Sequence, residues 1–98
     1  DYCTKIKWDI INKEYIKQVI RSSGSISANY TEASDDLGKA DEKMKLKISR
    51  REAKETIKWL DLTLTYDDKY LDQFKQQLIN EGGQIRKILS AIIIKLGG

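Results

Sequence analysis

Apolar and small residues recur along the first half of the chain at Ile16, Val19, Ser23, Ile26, Tyr30, Ala33 and Leu37. Steps of three and four residues place them on one face of an α-helix. The run Gln18 to Ser34, QVIRSSGSISANYTEAS, is rich in small side chains, with Ser22, Ser23, Gly24, Ser25, Ser27 and Ala28 keeping its flanks low. Serine and glycine are fair to poor helix formers, so such a helix must be held by neighbours whose backbones approach closely. Asn12 is the predicted N-cap, with Glu14 in the first turn. Asp35, Asp36 and Gly38 end the helix near Ser34.

A second helix is predicted from about Lys39 to Thr65, with Gly38 as its cap and Asp41 meeting free backbone donors. At about 100° per residue it has three faces. Leu46, Ser49, Ala53, Thr56, Ile57, Leu60 and Thr63 form an apolar one. Ile48, Glu52, Glu55, Trp59, Leu62 and Tyr66 form a half-apolar one, and two semi-apolar faces call for partners on both sides. Lys43, Lys47, Arg50, Lys54 and Lys58, with Arg51 beside them, form the third.

Tyr66, Asp67 and Asp68 make a turn, with Asp67 the expected cap of a last helix reaching about Leu96. Its register is Leu71, Phe74, Leu78, Ile85, Ile88, Leu89, Ile92 and Leu96, stopped by Gly97. Gly82 and Gly83 interrupt it, permitting a kink or a close helix crossing. Residues Asp1 to Ile11 alternate weakly and look like an anchor segment through Tyr2, Trp8, Ile10 and Ile11.

Two blocks in this pattern carry a resemblance. Gln18, Arg21, Ser22, Ser25, Ile26, Ala28, Asn29, Glu32 and Ala33 form the first. Arg51, Glu52, Ala53, Glu55, Thr56, Trp59 and Leu60 form the second, a basic-Glu-Ala-x-Glu-Thr-x-x-Trp-Leu helix. In this order they resemble the bacterial four-helix-bundle family named after proteins encoded in 23S rRNA intervening sequences, the S23-like family. The resemblance implies an all-α, antiparallel up-down helical bundle over residues 1–98. A long first helix precedes the Gln18 block in that family, and Asp1 to Lys7 resembles only its tail. Most of that helix is thus expected to be missing from this chain, its place closed by an unseen leader, another subunit or repacking of the first residues. The resemblance further implies ring-like homo-oligomers, often pentamers. A related accessory variability protein of diversity-generating retroelements is a basic pentamer that works with a reverse transcriptase and RNA.

Composition narrows the chemistry. The 98 residues contain no proline, which favours long uninterrupted helices. They contain no histidine either, which removes Ser-His-Asp and Cys-His nucleophile systems, His-containing metal sites and the Glu-x-x-His spacing of a di-iron bundle. Adjacent Asp35-Asp36 and Asp67-Asp68 diverge by about 100° on a helix and read as turn residues rather than metal ligands. No catalytic residue, metal or cofactor is expected. One cysteine, Cys3, excludes an intrachain disulfide and suits a reducing compartment, so the expected location is cytoplasmic. The longest apolar run, Ala91 to Ile94, is too short to span a bilayer.

The net charge of +3 permits a polyanionic partner without demanding one. The basic stripe, free of acids and about 22 Å long at 1.5 Å per residue, is the candidate nucleic-acid face, read by charge and shape rather than base sequence. It comprises Lys43, Lys47, Arg50, Arg51, Lys54 and Lys58. Ser25, Ala28, Trp59, Leu62 and Tyr66 are the candidate subunit interface. Arg21, Asn29, Glu32 and Glu55 are the candidate polar network, weighed against ordinary surface pairing. The expected function is a non-enzymatic homo-oligomeric adaptor binding RNA, DNA or a nucleic-acid enzyme such as a reverse transcriptase. The alternative is a structural or protein-interaction module with no nucleic-acid role.

Overall fold

The computed structural model describes residues 1–35 and 38–98. Expectations for Asp36 and Leu37 lie outside the described residues. Four helices follow one another: α1 (Tyr2–Lys5), α2 (Ile10–Ala33), α3 (Lys39–Leu62) and α4 (Lys69–Lys95). The chain is an all-α helical bundle, with no strand among the described residues. Helix α3 is its middle element, because α2 and α4 both pack on it, while α1 packs on α4.

Local chemistry explains the boundaries and corrects several of them. Helix α2 starts earlier than expected because Asp9, not Asn12, is its N-cap, accepting from the Asn12 amide at 2.8 Å. Glu14 therefore lies beyond the first turn and pairs with Lys17 at 3.6 Å. Asn12 is instead fully buried. Its Nδ2 donates to the carbonyls of Lys7 (2.9 Å) and Leu64 (2.8 Å), while its Oδ1 accepts from the Leu64 amide (2.7 Å). One side chain thus ties together the loops before α2 and after α3.

Gly38 caps α3 at φ 101° without a side-chain bond, a backbone conformation that favours glycine. Asp41 and Glu42 sit in the first turn, where the dipole favours a carboxylate. Helix α3 stops at Leu62, short of the expected Thr65, since Thr63 turns extended (ψ 147°) and its Oγ1 donates to the Leu60 carbonyl (2.6 Å) and accepts from Tyr2 Oη (2.7 Å). The following turn uses left-handed conformations at Tyr66 and Asp67, so the cap falls on Asp68, not Asp67. Asp68 Oδ1 accepts from the Leu71 amide at 3.0 Å. Tyr66 also donates to the Asp9 carboxylate, which holds that carboxyl below the usual range and pushes the phenol up.

The apolar core forms two clusters at opposite ends of a molecule 46 Å long. One contains Tyr2, Ile6, Ile16, Val19, Leu60 and Leu71, with Phe74, Leu78 and Ile79 packed against it. The other contains Ala33, Leu46, Leu89 and Ile93. Each buried Val, Leu or Ile side chain contributes about 1.5–3 kcal/mol relative to exposure. Between them lies a waist of small and hydroxylated residues where α2 meets α3. Ser22 Oγ donates to the Gln18 carbonyl (2.7 Å) and accepts from Thr56 Oγ1 (2.8 Å), and Ser49 Oγ donates to the Ile26 carbonyl (2.9 Å). Of the small residues expected to pack closely, only Ser22 is buried at this contact, whereas Ser23, Gly24, Ser27 and Ala28 are exposed.

Other expectations shift. The N-terminal anchor is Tyr2 and Ile6, whereas Trp8, Ile10 and Ile11 are exposed. In α4, Ile93 is buried although outside the expected register, and Ile85 and Ile88 are exposed. Gly82 and Gly83 do not break the helix. A Cβ on Gly82 would meet Ile57 Cγ1 at 2.8 Å, so this glycine is where α4 crosses close to α3.

Candidate nucleic-acid interface

Helix α3 packs between α2 and α4, and the basic residues lie along one edge that these neighbours leave uncovered. Lys47, Arg51, Lys54 and Lys58 are exposed, while Lys43 and Arg50 are half-buried. The six residues do not share one environment. Lys43 leans its stem toward Gly98, and Arg50 Nη1 donates to Ser90 Oγ on α4 at 3.2 Å. Arg51 approaches Glu52 at 3.9 Å; Lys58 pairs with Glu55 at 3.5 Å and lies 4.4 Å from the centre of the Trp59 ring. Lys47 and Lys54 make no ion pair among the described residues. Exposed cations without carboxylate partners are the ones free to neutralise phosphates.

The four expected network residues do not meet. Arg21 pairs with Glu52 (3.3 Å), Glu32 with Lys45 (2.6 Å) and Glu55 with Lys58, while Asn29 Nδ2 donates within α2 to the Ser25 carbonyl (2.9 Å). Glu52, placed by the sequence on the half-apolar face and in the second block, was not among the expected network residues. Its side chain is only 10% exposed and has an arginine on either side, so it is the buried anchor of the α2–α3 polar contact. Its position one residue off the apolar row was the signal available. The ring stacking of Tyr15 on Trp59, centroids 5.9 Å apart, was not expected either.

Opposite the basic edge, α2 and α4 splay apart and leave an apolar groove of about 810 Å³. Ser49, Thr56 and Leu60 form its floor, Val19, Ile26 and Tyr30 one wall, and Phe74, Ile85 and Ile88 the other. Asp1, Tyr2 and Cys3 of the N-terminal segment line it as well, and burial pushes the Cys3 thiol up, away from reactivity. Of the expected interface residues, Ala28, Leu62 and Tyr66 are exposed and Ser25 and Trp59 half-buried, and none of them lines the groove.

Among the described residues no group of His, Cys, Asp or Glu could hold a metal ion, and no helix is long and apolar enough to cross a membrane. The arrangement can therefore bind anions along one edge and an apolar surface along the other.

A family model described as 23S rRNA-intervening sequence protein matches residues 9–91. No curated protein and no solved structure matches the chain.

Proposed function

The chain belongs to the 23S rRNA-intervening sequence protein family, and from that premise we propose that it is a non-enzymatic, homo-oligomeric helical-bundle adaptor of the cytoplasm. It binds structured RNA or DNA, or an enzyme acting on nucleic acid such as a reverse transcriptase, through the basic edge of α3. The observation that carries this reading is the exposure of Lys47 and Lys54, neither of which makes an ion pair among the described residues. The absence of histidine supports a non-enzymatic role. Self-association, as a pentamer or another ring, would cover the apolar groove with a second copy and repeat the basic edge around the assembly, multiplying a weak contact.

The same groove favours a second reading, a structural or protein-interaction module without nucleic acid. One titration separates the two. Binding of the oligomer to structured RNA and to DNA is followed by anisotropy as salt rises. The adaptor reading expects affinity to fall steeply, because each neutralised phosphate releases condensed counterion. K47E with K54E should abolish binding and leave helix content unchanged, since exposed charges contribute little to stability. No binding of the parent protein at low salt would favour the protein-only module.

A further inference from the structure

Three contacts fix how α3 and α4 run past one another. Ile57 lies against Gly82, Arg50 Nη1 donates to Ser90 Oγ at 3.2 Å, and Lys43 lies against Gly98. Each step back along α3 goes with an equal step forward along α4, as antiparallel neighbours require. Lys54 is one turn after Arg50, and Arg86 is one turn before Ser90. The rung next to the Arg50–Ser90 hydrogen bond therefore brings Lys54 and Arg86 to the same level of the α3–α4 seam. Two cations share that level, with a third on the adjoining rung.

No carboxylate among the described residues pairs with them. From Gly82 to Gly98 helix α4 and its end contain no Asp or Glu. On α3, Glu52 faces α2 and pairs with Arg21, and Glu55 pairs with Lys58. Neither Arg86 nor Lys54 makes an ion pair among the described residues. Arg86 is half-buried, and its Nε is buried with no hydrogen-bond partner. Burial of Nε restricts how the Arg86 guanidinium can turn at the seam, which lowers the ordering cost of binding an anion there.

We infer that Arg50, Lys54, Arg86 and Ser90 form a seat for one phosphodiester of a nucleic-acid backbone, with Arg86 as its anchoring cation. The basic surface then spans two helices instead of the edge of one. The inference rests on the nucleic-acid reading above and assigns it a residue on α4 that the basic stripe does not contain. A phosphate suits the site because guanidinium recognises its oxygens in a planar, two-pronged fashion. A polymer of phosphates suits it because Lys47, Arg50 and Lys54 continue the row at intervals of about one helical turn.

The test compares the parent oligomer with R86Q and R86K, using a 20-base-pair RNA duplex and anisotropy across a salt series, with circular dichroism as the check on folding. Arg86→Gln should weaken binding about 10-fold and reduce the salt slope by about one, whatever the RNA sequence. Arg86→Lys keeps the charge, so it should restore the slope while falling short of the parent's affinity. In the unliganded parent, the Arg86 Nε–H resonance should shift saturably on addition of inorganic phosphate, and this response should be lost in K54Q. An R86Q titration that superimposes on the parent's overturns the seat while leaving the α3 reading intact. A parent that binds neither RNA nor DNA at low salt overturns both.

Discussion

Asn12 shows how much one side chain can organise. Fully buried, it satisfies two carbonyls and one amide, and its partner Leu64 lies 52 residues away in sequence; only a carboxamide offers donor and acceptor in that arrangement. Removing it leaves several backbone groups without partners in the interior, each costing about 1–3 kcal/mol. Asn12→Ala should therefore lower stability by roughly 2–4 kcal/mol, read as a fall in the denaturation midpoint. A change below about 0.5 kcal/mol, the size typical of surface substitutions, would show that water replaces the amide without loss. Nothing in the sequence distinguishes this Asn from a helix cap. Both roles place Asn just before an apolar periodic run, and only the path of the distant Leu64 loop decides between them.

At the scale of elements, the helices were legible because chain periodicity and the absence of proline leave few alternatives. Their ends were not, because each is decided by contacts with another element. Thr63 leaves α3 early to reach Tyr2, and Asp9 caps α2 while accepting from Tyr66. The basic edge was legible as a row of cations, since three- and four-residue steps define a face. The α4 contribution was not, since Arg86 reads in sequence as half of an Arg86-Lys87 pair between Ile85 and Ile88, on a helix read for its apolar face. The paired glycines of α4 offer a contrast that tests the packing. A Cβ on Gly83 would meet nothing within 4 Å, whereas one on Gly82 would press into Ile57. Gly83→Ala should stabilise the protein by about 0.5–1 kcal/mol through helix propensity. Gly82→Ala should give no such gain, because the clash offsets it. Equal melting shifts for the two variants would contradict the close crossing.

For the whole molecule, the apolar groove along α2, α3 and α4 and the exposed rings of Trp8 and Tyr66 are more hydrophobic surface than a small solitary protein comfortably shows. If association covers it, light scattering should report a mass above one subunit at micromolar concentration, and the melting temperature should rise with protein concentration. A single-subunit mass with a concentration-independent melting point would place no copy in the groove. The waist of hydroxyls between the two apolar clusters has a further consequence. Hydrogen bonds of Ser22, Ser49 and Thr56 join the halves, but little oily contact runs through the waist to make them melt as one. The end holding Ala33, Leu46 and Ile93 can then open while the end holding Tyr2, Ile16 and Leu71 stays shut, in the manner of separate cooperative units. Amide protons would record this as two classes of exchange divided near the waist, and the slower class would belong to the end that Tyr2 closes.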